Sequence, residues 1–183
     1  TNIRMDVGAG ANDTSRQRFW VGSNATGNSL IVNGGSTLTV DRNTILGGTN
    51  KHLAFKDLTI GSSTLTTTSG SYTLEINGAT NLTGTPLLNV SSGTLLLNGA
   101  ISDGGSKQAI IKGGGGDLWL NSASSSFGGM YAGTAGANGL GIVVNGGLLR
   151  FGDAATENAT AMNLDTILRG STIRINPTGN IYI

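Results

Sequence analysis

The feature that most constrains this chain is a repeated corner, in which a short apolar strand runs into a tight turn and a second short apolar strand leaves it. Copies of this corner lie within residues 30–40, 74–78, 88–97, 142–151 and 173–183. A unit this short buries its apolar face only by stacking on its neighbours, which is typical of a solenoid. The repeat therefore predicts an all-β chain of roughly six to nine parallel coils, with 20 or more residues in each.

Asparagine occupies the corner after four apolar triplets, at Asn33, Asn77, Asn145 and Asn176. Asparagine tolerates the left-handed backbone conformation, and its amide can bond to neighbouring groups. In stacked coils these corners lie above one another, so the amides are expected to form a ladder along the solenoid axis. The alternative is that each Asn-Gly pair closes an ordinary antiparallel hairpin. The length of the Asn-Gly-Gly turns and the irregular spacing of the copies favour the coil.

Composition excludes several classes of partner and site. Charged residues form 11% of the chain, against roughly 25% in typical soluble domains, and the net charge is +1, so no nucleic-acid partner is predicted. The chain has no cysteine, which excludes disulfides and thiolate metal sites. It has no run of 18 apolar residues, so no membrane-spanning helix is predicted. The 31 glycines suit many tight turns, and the regular Val/Ile/Leu triplets argue against disorder as the alternative.

The chain divides into two predicted parts. Residues 1–28 are the least regular and are interpreted as an N-terminal cap or irregular entry segment, and residues 29–183 as solenoid coils. A flexible loop insert is predicted at residues 131–141, and residues 152–168 are the one helix candidate. The chain lacks an initiator Met and ends in a strand pattern, so we expect a processed product or a piece of a longer protein. The predicted inward positions are Val32, Leu38, Ile60, Ile76, Val90, Leu95, Leu120, Val144 and Leu149.

Residues that carry chemistry are sparse. A polysaccharide lyase or hydrolase needs clustered carboxylates, or a carboxylate beside a basic residue, whereas the ten acidic residues here are scattered singly. The lone His52 is predicted to be a surface turn residue. The run Gly113–Asp117 is similar to a glycine-rich calcium repeat, but it is not repeated in tandem. We therefore predict no catalytic residue, no metal site and no cofactor.

The few aromatic residues allow two interpretations. Trp20, Trp119, Tyr131 and Tyr182 could form a platform on which sugar rings stack. However, Trp119 lies between Leu118 and Leu120 in an apolar stretch, which favours a packing or capping role for that residue.

Residues 110–152 contain an ordered pattern of lysine, glycine and apolar residues. Its positions are Lys112, Gly114, Gly116, Leu118, Leu120, Phe127, Gly129, Val144, Gly147 and Leu149. This pattern resembles the autotransporter-associated β-strand repeat, also called the passenger-associated transport repeat, which reads Lys-x-Gly-x-Gly-x-Leu-x-Leu, an aromatic-x-Gly turn, and then apolar-x-Val-x-x-Gly-x-Leu. The insert at residues 131–141 departs from the pattern, and the match covers about a quarter of the chain. The resemblance implies a right-handed parallel β-helix on the outside of a bacterium, as in large adhesins and other surface proteins.

The favoured function is a non-catalytic extracellular β-solenoid of a bacterial cell surface, structural or adhesive, with head-to-tail self-assembly into a filament as a further hypothesis. The last predicted strands of the chain show no polar cap, so we expect the end of the solenoid to expose unpaired strand edges and apolar side chains. The predicted self-association residues are Phe19, Trp20, Val21, Ile173, Ile175, Ile181, Tyr182 and Ile183. Surface glycans or host proteins are the other hypothetical partners, at a loop that carries Tyr131 and Asn138. The alternative function is a polysaccharide-degrading β-helix enzyme, a lyase or a hydrolase.

Overall fold

The computed structural model of the protein describes residues 2–5, 17–22, 27–42, 50–122, 124–128, 139–152 and 172–182. Every regular element within these ranges is a β-strand. The strands are β1 Asn2–Met5, β2 Gln17–Trp20, β3 Leu30–Val32, β4 Ser36–Arg42, β5 Lys51–Phe55, β6 Leu58–Ile60, β7 Thr64–Ile76, β8 Thr80–Leu82, β9 Leu87–Leu97, β10 Ile101–Ser102, β11 Ile110–Gly113, β12 Asp117–Leu120, β13 Leu140–Val144, β14 Gly147–Phe151, β15 Thr172–Ile175 and β16 Gly179–Tyr182. The prediction of an all-β chain is confirmed for this part of the sequence.

The strands stack in three rows, which we call rows A, B and C. Row A contains β3, β6, β8 and β10. Row B contains β1, β4, β7, β9, β11, β13 and β15, and row C contains β2, β5, β7, β9, β12, β14 and β16. Strands β7 and β9 are long enough to run through both row B and row C. All described pairings are parallel, so antiparallel hairpins at these corners are excluded.

From β3 to β12 the chain passes through rows A, B and C in turn and then returns to row A one level further along the stack. Leu58 pairs with Thr80, 22 residues later, and Thr80 pairs with Ile101, 21 residues later. Seven strands stack in row B, which lies within the predicted six to nine coils. This arrangement is consistent with a β-solenoid-like fold, because each coil adds a strand to rows B and C and contacts chiefly its neighbours.

The core consists of columns of aliphatic side chains inside the three rows. Alternate residues of a strand point to opposite faces, so every second residue of a strand can enter the core. All nine predicted inward positions are buried, with Leu38 the most exposed at 6%. In row C one such column contains Leu53, Leu74, Leu95, Leu118 and Leu149, which pair strand by strand. The apolar pattern therefore predicted the inward face of these strands.

Glycines form the corner between rows B and C. Gly93 and Gly147 have φ values of +68° and +65°, in the left-handed region that favours glycine. A Cβ on Gly116 would lie 2.6 Å from the carbonyl oxygen of Gly93 in the coil below. A Cβ on Gly147 would likewise overlap the carbonyl oxygen of Gly116. Successive coils approach this closely because no side chain separates them at the corner.

Asparagine amides form two ladders at other corners, as predicted. After row C, Asn98 donates to Asn77 Oδ1 at 3.0 Å, and Asn121 donates to Asn98 Oδ1 at 2.6 Å. After row B, Asn176 donates to Asn145 Oδ1 at 2.5 Å. Three of the four predicted corner residues thus join ladders. Asn98 and Asn121 were not predicted, although each directly follows a row C strand in the same way as Asn77.

The predicted division at residue 28 stays a prediction. Strands β1 and β2 lie before that boundary, and they pair in parallel with β4 and β5 respectively. Of the predicted insert 131–141, residues 131–138 lie outside the described residues, and β13 already begins at Leu140. The helix candidate also lies outside them, except for Gly152.

Candidate functional site

The side chains with the most distinctive chemistry lie on the outer side of row C. In β7, Leu74 and Ile76 belong to the core, so Glu75 between them points to the opposite face. Glu75 is nevertheless 0% exposed. Arg18 in β2 donates to both carboxylate oxygens, at 2.6 Å to Oε1 and 3.0 Å to Oε2. Since β5 lies between β2 and β7, the arginine spans three successive coils.

His52 in β5 completes this cluster. Its Nδ1 lies 2.9 Å from Oε2 of Glu75, and because an ionised carboxylate only accepts hydrogen bonds, Nδ1 carries the proton. The prediction that His52 is a surface turn residue is wrong, since it lies within a strand and is 6% exposed. The polar pair Lys51–His52 concealed this strand from the sequence analysis. The signal that could have revealed it is the alternation of Leu53 and Phe55, which pair with Leu74 and Ile76.

The electrostatics of the cluster stabilise the ionised carboxylate. Burial by itself raises the pKa of Glu75, but the hydrogen bonds from His52 and Arg18 and the positive charge of Arg18 outweigh it. The pKa of Glu75 is therefore lowered from its usual 4.5. Both oxygens accept hydrogen bonds within the fold and the side chain is covered, so Glu75 is unsuited to act as a general acid or base. The arrangement instead ties β2 to β5 and β7.

A second, more exposed cluster lies on the same face. Arg150 in β14 donates to Asp117 Oδ2 in β12 at 3.0 Å, and its guanidinium lies 5.2 Å from the ring centre of Trp119. Arg18 is placed in the same way over Trp20, at 5.5 Å. Each arginine thus donates to a carboxylate and also lies over the ring of a tryptophan. Trp119 points away from Leu118 and Leu120, which enter the core, so its position between them in the sequence did not indicate core packing.

Lys112 of the family-like repeat is a buried cation. In row B, Lys112 pairs with Leu88 on one side and with Val144 on the other, and Leu88 in turn pairs with Leu65. All four of these side chains are buried. The ammonium donates to the carbonyl oxygens of Gly113, Gly114 and Gly146, at 2.6, 2.9 and 3.0 Å. Lys112 therefore binds the backbone of the glycine corner in its own coil and in the next one.

We expect the stability of the protein to rise as the pH is raised from 8 to about 10.5, because of Lys112. Burial lowers the pKa of Lys112 to about 8, and the nearby charge of Asp117 only partly offsets this. Below pH 8 the folded chain carries a buried charge, and above about 10.5 the lysine is neutral in both states, so the gain falls between these values. Chemical denaturation across this range should show the rise in the parent protein and not in Lys112→Met. Lys56→Met, at a lysine whose side chain is 54% exposed, should retain it.

The predicted self-association residues lie at the two ends of the stack. Phe19 and Trp20 are half-buried in β2, and Val21 packs against the core. At the other end Ile173 and Ile181 are half-buried and also pack against the core, whereas Ile175 is 45% exposed. Tyr182 closes β16, and its side chain lies outside the described part, as do Ile183, Tyr131 and Asn138 altogether. The structure thus separates the predicted residues into two end groups and does not place the predicted binding loop.

No group of three or more His, Asp or Glu side chains that could hold a metal ion occurs among the described residues. The described chain also contains no helix that is long and apolar enough to cross a membrane. Comparisons of the chain with protein-family models, with curated proteins and with solved structures find no match.

Proposed function

We propose that this chain is a non-catalytic, extracellular β-solenoid of a bacterial surface, with a structural or adhesive role. The proposal includes a right-handed coil, since parallel strands in one sheet are almost always joined by right-handed connections. It also includes kinship with the autotransporter-associated repeat, for which the support is the repeat sequence at residues 110–152. Apolar columns and continuous parallel ladders would resist proteases outside the cell, because few backbone groups open independently.

One observation carries the non-catalytic part of the proposal: every described carboxylate is engaged within the fold. Glu75 and Asp117 pair with arginines, and Asp103 accepts three backbone amides, from Gly105, Gln108 and Gly128. Asp57 accepts from the backbone of Ala79 and from Ser29, and Asp41 also has an interaction partner. These carboxylates lie at separate corners and strands, and each is held by the groups named here, whereas glycoside hydrolysis uses two carboxylates that face one substrate.

An adhesive role would depend on the predicted loop at residues 131–141, with Tyr131 and Asn138 as the proposed contact residues for a surface glycan or a host protein. Binding should then survive Asp57→Asn and Asp117→Asn together, and should be lost when residues 131–138 are replaced by a glycine-serine linker of equal length. Glycan-array binding of the full chain is the measurement. Retention of binding by the linker variant would exclude this loop as the adhesive site.

A polysaccharide-degrading enzyme is the second candidate, and the observation that favours it is His52, whose Nδ1 is held by the buried carboxylate of Glu75. Buried charges are costly unless paired, and such clusters are frequent at functional sites. Incubation of the full chain with pectin, alginate and glycosaminoglycans tests the two candidates. We expect no depolymerisation together with resistance to proteinase K. Depolymerisation that is lost in His52→Ala, with the circular dichroism spectrum unchanged, would overturn the structural proposal.

A further inference from the structure

Row C is open at both ends in the described structure. Strand β2 pairs with β5 on one side, and β16 pairs with β14 on one side. Within the described residues, the other edge of each strand has no neighbouring strand. An open parallel edge presents backbone donors and acceptors that another strand can satisfy. The two edges face opposite directions along the stack, so a second copy in the same orientation could add its β16 to β2 in parallel, as the strands within the stack do.

The two open strands also belong to the same side-chain columns. Following the pairings from β2 to β16, Phe19 begins the core column that runs through Leu53 and Leu149 and ends at Ile181. The interior members of this column are at most 3% exposed, whereas Phe19 and Ile181 at its ends are half-buried. Burial of both ends would complete the column with the same kind of contact that holds its interior.

Neighbouring columns are compatible with this continuation. Arg18 lies in the register column of Asn180, and Trp20 lies in that of Tyr182. Neither pairing places two like charges together. The exposed Ile175 at the end of row B adds apolar surface on the same side of the last coil. The two ends of row B match less well. The pairings that start at Ile175 lead back to Ser36 in β4, whereas β1 pairs with residues 39–42 of β4, so the column of Ile175 does not reach β1.

We propose that the chain binds a second copy of itself head to tail, with β16 of one copy adding in parallel to β2 of the next and Phe19 covering Ile181. The inference rests on the proposed function as a structural solenoid and names its partner. The contact is heterologous, since the two copies use different surfaces. Repetition therefore produces an open filament unless the rotation between copies closes a ring.

Sedimentation velocity of the full chain over a wide concentration range, with electron microscopy of the concentrated sample, tests this joint. The parent protein should form species larger than a dimer. Phe19→Asp and Ile181→Asp each place a charge in the apolar contact and should weaken association by about 100-fold or more. Each variant keeps one good end, so an equal mixture should form dimers that stop growing. Asn81→Asp is the matched control, because Asn81 is exposed in β8, which lies between β6 and β10 in row A, and this variant should assemble like the parent.

The outcomes separate this proposal from the proposed function. A parent protein that stays monomeric at millimolar concentration, or single variants that assemble as well as the parent, would overturn the joint. Failure of the mixture to form dimers would overturn its head-to-tail geometry. A monomeric chain without depolymerising activity leaves the structural function intact, whereas an assembling chain that degrades a polysaccharide refutes that function alone. Circular dichroism verifies the fold of each variant, and Phe19→Ser and Ile181→Ser replace any aspartate variant that unfolds.

Discussion

Gly147→Ala is expected to lower the free energy of unfolding by about 3 to 5 kcal/mol, a large part of the stability of an ordinary domain. Gly147 has a φ of +65°, which costs an alanine about 1 to 2 kcal/mol. Its new Cβ would also lie 2.6 Å from the carbonyl oxygen of Gly114 and would overlap that of Gly116. Both oxygens belong to the backbone of the coil below, which cannot move aside without breaking the parallel ladders.

Equilibrium denaturation followed by circular dichroism measures this effect. Gly34→Ala is the matched control, because a Cβ on Gly34 meets no atom within 4 Å and the residue does not have a positive φ. The control should change the free energy of unfolding by less than about 0.5 kcal/mol. Similar losses in the two variants would show that the glycine corner does not set how closely the coils stack.

Glu75→Gln is expected to cost about 2 to 4 kcal/mol of stability, because it removes the charge that pairs with Arg18 and His52. Breaking a fully buried ion pair typically costs about 3 to 5 kcal/mol. We expect less here because the side chain of Arg18 is 33% exposed, and water partly solvates it after the change. Thermal and chemical denaturation at pH 7 should both report the loss.

The same variant tests the pH dependence of the cluster. The pKa of Glu75 is lowered in the folded state, so its stabilising contribution is complete above its ordinary value of 4.5. The contribution decreases as the pH falls below 4.5, and it is lost once the pH is below the folded-state pKa. The stability difference between the parent protein and Glu75→Gln should therefore shrink in acid. A difference that stays constant to pH 2 would contradict the role of this carboxylate.

Asp117→Asn is the matched control for the buried cluster. It removes the charge that pairs with Arg150 on the same face, but the side chains of this pair are 28% and 32% exposed. Ion pairs of this kind contribute about 0 to 1 kcal/mol, so the control should be nearly neutral. An equal loss in Asp117→Asn and Glu75→Gln would show that burial does not distinguish the two clusters.

The sequence by itself determined the all-β class, the inward face of the strands and much of the corner chemistry. Apolar triplets such as Leu30–Val32 carry a period of two, and that period alone decides which side chains can be buried together. Asn77, Asn145 and Asn176 follow such triplets, and each joins a ladder, as their position after an apolar triplet predicts. These features depend on residues close together in the chain, where local spacing is sufficient for prediction.

Only the tertiary structure decided the chemistry of the outer face and of the buried cations. Arg18 and Glu75 are 57 residues apart, and they meet because the coil lengths bring β2, β5 and β7 into one row. Irregular lengths between corners leave this register undetermined in the sequence, so His52 could not be paired with its carboxylate. Lys112 was likewise visible as a repeat position but not as a core residue. Its place inside row B follows from its pairing with Leu88 and Val144, which stacking alone creates.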